Sequence, residues 1–187
     1  MKEWKTHKSG ESYSHPFMKI LAEEVELPNG IVIPDYTVWK SGNVAQVLPI
    51  TVDGRAVLVR MFKQGAQRMI YECPGGFIND DEDPLIAAKR ELAEETNFVS
   101  NDWEKIHVFY HHPSKERGET HFFLARNAFL DTENGHAQDA TEEIEIVLLS
   151  FSELMSLIMS GEIIQTGTIA GVLLALQIHE ELWQKNR

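Results

Sequence analysis

Short apolar runs and alternating apolar and polar positions fill the first two thirds of the chain and predict β-strands. Met18 to Leu27 alternates and then becomes apolar, Pro28-Asn29-Gly30 is typical of a turn, and Ile31 to Pro34 carries the chain back. The sequence therefore predicts a hairpin near its start. Further strands are predicted at Val44 to Thr51, Ala56 to Met61, Met69 to Cys73, His107 to His112, Thr120 to Arg126 and Ile144 to Leu149.

Three segments have the pattern of helices. The first follows Asp83, which suits a helix N-cap, and Pro84, which suits the first helical position. The second is Phe151 to Ser160, with Gly161 as its stop, and the last is Thr168 to Gln184. Strands and helices that do not alternate regularly are typical of an α+β sandwich.

The first helix carries a cluster of carboxylates. At about 100° per residue, Glu91 and Glu95 lie one turn apart on one face, with Glu94 beside them. Like charges this close repel one another unless a cation lies between them, and hard divalent cations prefer oxygen ligands. The alternative is a solvated acidic face, as in most glutamate runs. The preceding glycine, the separate Glu82 and the Arg90-Glu91 pair favour a metal site.

The segment from Gly76 to Phe98 resembles the Nudix box, a pattern written Gly-x5-Glu-x7-Arg-Glu-apolar-x-Glu-Glu-x-Gly-apolar. The positions that match it are Gly76, Glu82, Arg90, Glu91, Leu92, Glu94, Glu95 and Phe98. A pattern with this many fixed positions is specific, unlike a lone glycine-rich loop. One position departs, because Asn97 stands where the pattern has glycine. Asn is the usual second choice for a left-handed helix end, so we expect a small loss of stability and an intact site.

The order of elements resembles the Nudix fold, in which a mixed β-sheet lies between α-helices, here with an N-terminal β-hairpin extension. The resemblance implies an extension over residues 1–40 and a Nudix domain over residues 41–187. Within the family the chain is similar to the ADP-ribose pyrophosphatase branch. That similarity rests on less specific stretches, such as Tyr71-Glu72-Cys73-Pro74-Gly75-Gly76 before the box and Glu142-Glu143-Ile144-Glu145-Ile146 after it.

The resemblance implies an enzyme that hydrolyses the diphosphate of nucleoside diphosphate sugars with Mg²⁺ or Mn²⁺ as its cofactor. ADP-ribose would give AMP and ribose 5-phosphate. The alternative within the family is GDP-mannose or another nucleotide sugar. The alternative of another class is a nucleotide-binding regulatory module without catalysis. The enzyme is favoured because Glu91, Glu94 and Glu95 are all retained.

Roles for the residues of the box follow from the same resemblance. The implied metal ligands are the carbonyl of Gly75 and the carboxylates of Glu91, Glu94 and Glu95. Glu94 has a second interpretation, as the holder of a water molecule at the metal. Arg90 is expected to orient the acidic cluster, with Glu82 as its partner across the loop.

A late loop and several strands supply the remaining candidates. The family places a base carboxylate in a late loop, where this chain offers Glu142 first and Glu143 second. The alternative for each is a solvated strand end. The substrate-binding candidates are Tyr36 and Trp39, for stacking on the base, and Arg60 and Arg68, for phosphate. Their alternatives are aromatic core residues and surface charges.

Composition and charge narrow the class of partner. The chain has 187 residues, 43% apolar and 25% charged, as in ordinary globular proteins. Its formal charge of −12 argues against nucleic acid, because phosphate backbones are bound by clustered Lys and Arg. A lone Cys73 excludes an internal disulfide framework, and no apolar run is long enough for a bilayer. We expect a cytoplasmic protein that does not associate with membranes, and the resemblance implies a homodimer with exchanged N-terminal segments.

Overall fold

The computed structural model describes residues 2–132, 134 and 143–179. Its strands are β1 (Lys5–His15), β2 (Met18–Glu26), β3 (Val32–Ser41), β4 (Val44–Thr51), β5 (Ala56–Lys63), β6 (Arg68–Glu72), β7 (Gly75–Phe77), β8 (Phe98–Val99), β9 (Asp102–Phe109), β10 (Glu116–Arg117), β11 (Thr120–Leu130) and β12 (Glu145–Leu149). Its helices are α1 (Pro84–Thr96), α2 (Phe151–Ser160) and α3 (Thr166–Ile178). Within those described residues, no helix is both long and apolar enough to cross a membrane.

The chain divides into two units, Met1–Asn43 with Tyr110–Glu119, and Val44–Phe109 with Thr120–Arg187. The first unit is a four-stranded sheet in the order β1-β2-β3-β10. Strands β1, β2 and β3 pair antiparallel, and β10 pairs parallel to β3. The predicted hairpin is confirmed as β2 and β3. Strand β1 is polar and exposed along all eleven residues, so it lacks the apolar alternation that would have predicted it.

The second unit is built on a mixed sheet with the order β12-β5-β4-β11-β8. Strand β4 pairs parallel to β11 and antiparallel to β7. Its residues from Ala45 to Thr51 are all buried, which explains why it reads as a continuous apolar run rather than an alternating one.

Helices cover both faces of this mixed sheet. One core cluster joins Leu48 and Leu58 to α2 and α3 through Leu154 and Val172. The other joins Val47 and Val57, which point to the opposite face, to α1 through Ala88 and Leu92. The chain therefore has the predicted α+β architecture, with a mixed sheet between helices.

Several predicted boundaries differ from the structure. The strand predicted at His107 to His112 is β9, which begins at Asp102 and ends at Phe109, so His111 and His112 lie outside it. The last helix begins at Thr166, two residues earlier than predicted, because the side chain of Gln165 accepts a hydrogen bond from Thr168 N. The predicted end of that helix, at Gln184, lies outside the described residues.

Candidate metal and catalytic site

Local sequence signals fix both ends of α1. Asp83 Oδ1 accepts hydrogen bonds from Leu85 N at 2.8 Å and Ile86 N at 3.4 Å, and Pro84 starts the helix. At the other end Asn97 has a φ of 57°, and its N–H donates to Ala93 O at 2.9 Å. The predicted left-handed helix end at Asn97 is therefore confirmed.

The acidic face of α1 is not a uniformly solvated surface. Glu95 is only 4% exposed, and the Glu91 side chain is 14% exposed. Glu94 is the outermost of the three, at 42%. Carboxylates buried to this degree need partners, because desolvation disfavours the charged form. The solvated-face alternative is therefore wrong for Glu91 and Glu95.

Arg90 joins the carboxylates into one network. Its Nε and Nη2 donate to the two oxygens of Glu82 at 2.9 and 3.0 Å, which confirms the predicted pair. Its Nη1 donates to Glu91 Oε1 at 2.7 Å and to Glu94 Oε2 at 3.1 Å. A further bond from Nη2 to Phe77 O, at 3.0 Å, ties the network to β7. A planar guanidinium can make all of these bonds at once, whereas a lysine ammonium cannot.

The network changes the acidity of its members. Hydrogen bonding to Arg90 lowers the pKa of Glu82 from an ordinary value of 4.5 to about 2. A hydrogen bond from Asn79 N at 2.9 Å acts in the same direction. The pKa of Arg90 rises in return, mainly through its bond to Glu82. The loop before α1 is therefore held by a fully ionised pair at neutral pH.

Two glycines let β7 approach the helix closely. Gly75 N donates to Glu95 Oε2 at 2.9 Å, so the most buried glutamate is anchored by backbone. A Cβ on Gly75 would collide with Ala45 O, and a Cβ on Gly76 would lie 2.5 Å from Glu91 Oε1. The backbone therefore excludes a side chain at Gly75, whereas a side chain at Gly76 would have to displace the Glu91 carboxylate.

The arrangement fits a hard divalent cation in its donor types. Glu91, Glu94 and Glu95 present carboxylate oxygens beside the backbone of Gly75, the set that Mg²⁺-like ions prefer. However, within residues 2–132, 134 and 143–179 no group of three or more His, Cys, Asp or Glu side chains is arranged to hold a metal. Arg90 supplies the positive charge between Glu91 and Glu94 instead. The four metal ligands therefore remain predictions.

Of the two candidate bases, only Glu143 lies among the described residues. Glu143 is exposed and lies two residues before β12. Glu142, the first candidate, lies outside the described residues. Both assignments remain predictions.

Tyr36 and Trp39 lie on β3 of the first unit and already have partners there. The Tyr36 hydroxyl donates to Ser114 O at 2.6 Å, and Lys115 Nζ lies 3.5 Å from the centre of its ring. The Trp39 ring lies 5.7 Å from that of His112. One face of Tyr36 is therefore covered by a cation, and base stacking on either ring remains a prediction.

Arg60 and Arg68 are not gathered around the acidic cluster. Arg60 lies two residues after Leu58 on β5, so its side chain points to the same face of the sheet. That face is covered by α2 and α3 and is opposite α1. It donates to Glu145 at 2.8 Å and lies over the Tyr71 ring. Arg68 is exposed at the start of β6. Their phosphate-binding roles remain predictions.

Sequence reasoning missed a bidentate ion pair with a buried carboxylate in the first unit. Arg117 donates to both oxygens of Glu23, at 3.0 and 2.7 Å, and Ser9 donates to the same carboxylate. Glu23 is 2% exposed. It lines a cavity of about 400 Å³ together with Trp4 and Tyr36. Arg117 and Glu23 are 94 residues apart in sequence, so no local pattern predicts their pairing. Only Leu21 and Val25, the apolar residues on the same face of β2, could have indicated that Glu23 is buried.

Known protein families and relatives match this chain along most of its length. A family model described as NUDIX domain matches residues 40–165, and one described as nucleoside diphosphate sugar hydrolase N-terminal domain matches residues 4–39. ADP-ribose pyrophosphatase of Bacillus subtilis (strain 168) is 32% identical over 180 residues, 96% of each chain. GDP-mannose pyrophosphatase of Cronobacter sakazakii is 30% identical, over 71% of this chain and 72% of that protein. A crystal structure of ADP compounds hydrolase superposes with a TM-score of 0.83 at 17% identity, over 97% of this chain and 96% of the other, and shows the same fold.

Proposed function

The chain belongs to the Nudix hydrolase family, and from this premise we propose that it hydrolyses ADP-ribose to AMP and ribose 5-phosphate with Mg²⁺. Hydrolysis of nucleotide-sugar diphosphates is the activity supported at family level. ADP-ribose is favoured because the relative of that activity matches this chain over 96% of both lengths. GDP-mannose is the second candidate, favoured by a relative that covers about 70% of each chain.

The observation that carries the proposal is the network around Arg90. One guanidinium holds Glu82, Glu91 and Glu94, while the backbone of Gly75 holds Glu95. Three neighbouring carboxylates on one helix, two of them largely buried, would be a costly arrangement for a structural helix. A regulatory module without catalysis would be free to lose Glu91, Glu94 or Glu95, and all three are present.

Glu91, Glu94 and Glu95, with the carbonyl of Gly75, would hold the divalent cation. A cation bound there neutralises the diphosphate and stabilises the charge that develops on the phosphoryl oxygens. Arg90 keeps Glu91 and Glu94 on the same side of α1, and its Nη1 would have to give way for a cation to lie between them. Side chains of the protein would supply the proton acceptor and the contacts to the substrate.

Water is the nucleophile, and Glu142 is our first candidate to accept its proton, with Glu143 second. A new bond forms from the water oxygen to one phosphorus, and the bridging oxygen leaves with the other phosphate. Tyr36 and Trp39 are our candidates for the base, and Arg60 and Arg68 for phosphate. We expect Glu142→Gln to lower kcat strongly and to leave the melting temperature unchanged. A variant with normal turnover would move the role to Glu143.

A substrate panel tests the proposal. The purified protein is incubated with Mg²⁺ and ADP-ribose, GDP-mannose, other nucleotide sugars or NADH, and the products are identified by mass. Running the reaction in H₂¹⁸O shows which phosphorus is attacked, because the label appears in only one product. Glu95→Gln is the control, with its melting temperature checked alongside.

ADP-ribose as the best substrate, with activity abolished in Glu95→Gln, is the expected outcome. A preference for GDP-mannose would keep the mechanism and change the substrate. Silence on every substrate, with Mg²⁺ or Mn²⁺, would overturn the enzymatic proposal and favour a binding module.

We also propose that the protein works as a homodimer in the cytoplasm. Every residue of β1 is exposed, and Trp4, Tyr13 and Phe17 near it are each about half exposed or more. An exposed strand with aromatic side chains is a surface that a second copy can cover. Sedimentation equilibrium should give twice the chain mass, and a monomer at micromolar concentration would contradict this. The buried thiol of Cys73 fits a reducing compartment.

A further inference from the structure

Gln46 is a polar residue inside the apolar run of β4. It lies in β4 between Ala45, Val47 and Leu48, each of which is fully buried. Gln46 itself is 4% exposed. Its Oε1 is buried and has no hydrogen-bond partner among the residues that the structure describes. The strand therefore holds an acceptor that neighbouring protein groups do not satisfy.

An unsatisfied acceptor of this kind destabilises a fold. Burying a carboxamide oxygen without a donor loses its hydrogen bonds to water and gains none in return. Methionine has nearly the same length and no such requirement, so it would fill the same space at a lower free energy. A group that opposes stability in the core is best explained by something it does there.

The place of Gln46 connects it to the candidate site. It pairs with Gly75 in the β4–β7 ladder, and a Cβ on Gly75 would lie 2.9 Å from Gln46 Cγ. The glutamine stem therefore packs directly on the Gly75 backbone. Gly75 N is the donor to Glu95 Oε2, at 2.9 Å. One short path of contacts thus runs from Gln46 through Gly75 to Glu95.

The opposite side of Gln46 is closed. Phe122 pairs with Gln46 from β11 and is fully buried. Its ring occupies the space that a side chain at Gly171 of α3 would need. A donor for Gln46 Oε1 must therefore be small. Buried water commonly satisfies such groups, at about one molecule per 27 residues.

We propose that Gln46 is a positioning residue: its carboxamide accepts a hydrogen bond from a buried water beside Gly75 and so fixes the backbone that anchors Glu95. Gln46 does not touch the substrate. It acts through the Gly75 N–H, whose direction sets where the Glu95 carboxylate lies. The catalytic consequence rests on the proposed function, whereas the effect on the Gly75 amide does not.

The test compares Gln46→Met with Leu48→Met in the full chain. Leu48 is the matched control, since it lies two residues further on the same face of β4 and is also buried. Selective ¹⁵N-glycine labelling gives one amide signal for each of the 12 glycines, from which exchange at Gly75 is followed. Turnover, KM and melting temperature are measured on the same samples.

We expect Gln46→Met to melt at the same temperature as the parent or higher. Its Gly75 amide should exchange at least 10-fold faster, its kcat should fall about 10-fold, and its KM should stay within twofold. Leu48→Met should leave the exchange rate and kcat unchanged. A water cross-peak at the Gly75 amide of the parent, absent in Gln46→Met, would support a buried water beside Gly75.

Normal exchange at Gly75 together with normal kcat in Gln46→Met would overturn the proposal. So would failure of both Gln46→Met and Gln46→Leu to fold, because the carboxamide would then be a structural requirement. Absence of any hydrolysis by the parent would refute the proposed function alone, since the exchange rate at Gly75 can still be read.

Discussion

Replacing Gly76 by alanine tests whether Glu91 must keep its observed position. The added Cβ would lie 2.5 Å from Glu91 Oε1, 2.6 Å from Cδ and 2.7 Å from Oε2. Ordinary contacts between such atoms are about 3.5 Å, so the carboxylate has to move by about 1 Å. Gly76 is not among the glycines with positive φ, so an alanine backbone is not strained there.

The consequence should fall on activity rather than on folding. The obstructing group is the end of a flexible side chain, so we expect a loss of about 1 kcal/mol in the free energy of unfolding, at the low end of overpacking. The displaced Glu91 gives up its 2.7 Å bond to Arg90. A reacting group misplaced by about 1 Å commonly costs about 100-fold, and we expect that loss in kcat/KM.

The assay measures kcat/KM for ADP-ribose, Mn²⁺ affinity by electron paramagnetic resonance, and the melting temperature. Gly65→Ala is the control, because a Cβ there meets nothing within 4 Å. We expect the control to match the parent in all three, and Gly76→Ala to bind Mn²⁺ about 10-fold more weakly. Parental activity and Mn²⁺ affinity in Gly76→Ala would refute the assignment of Glu91 as a ligand fixed by this contact.

Three other predictions concern stability. Arg90 holds the pKa of Glu82 at about 2 against an ordinary 4.5. The contribution of Glu82 to the free energy of unfolding is therefore complete above pH 4.5 and is lost as pH falls towards 2. Glu82→Gln should flatten the dependence of melting temperature on pH over that range. Asn97→Gly should raise the free energy of unfolding in urea by up to about 1 kcal/mol, and Asn97→Ala should lower it by a similar amount, because φ is 57°. Arg117→Met should cost about 2–3 kcal/mol in urea, because buried Glu23 loses its bidentate partner, while Lys8→Met, at an exposed pair, should cost less than about 0.5 kcal/mol.

Each of these has a result that would count against it. An unchanged acid-stability profile in Glu82→Gln would show that the pair with Arg90 persists in the unfolded chain or contributes nothing. Equal stability of Asn97→Gly and Asn97→Ala would contradict the left-handed conformation. Equal losses in Arg117→Met and Lys8→Met would mean that water reaches Glu23 freely.

The parts of the site that lie on one helix and its preceding loop could be predicted from the sequence. The caps at Asp83 and Asn97 and the pair of Arg90 with Glu82 depend on spacing within 15 residues, which the pattern contains directly. Contacts between distant segments could not be predicted. The bond of Gly75 to Glu95 and the pair of Glu23 with Arg117 depend on how strands and helices pack, for which the sequence offers no local signal.

Polar residues in strands show the same limit in another form. Strand β1 is polar throughout and is held by its ladder with β2, so periodicity gives no warning of it. Gln46 shows the opposite case: the apolar run predicts the strand correctly, but the pattern does not mark the one polar residue inside it as unusual. Only its burial and its missing donor mark it as unusual. A buried polar group that lacks a hydrogen-bond partner can be recognised only when the structure shows its neighbours.

The three box glutamates are identical in the pattern but differ in the fold. Glu95 is buried and held by a backbone amide, which cannot rotate away. Glu91 is held by Arg90 and limited by the absence of a side chain at Gly76. Glu94 is the most exposed and has one longer bond, at 3.1 Å. If these carboxylates bind the cation, we expect the buried Glu95 to set a fixed position and the more exposed Glu94 to adapt to the substrate.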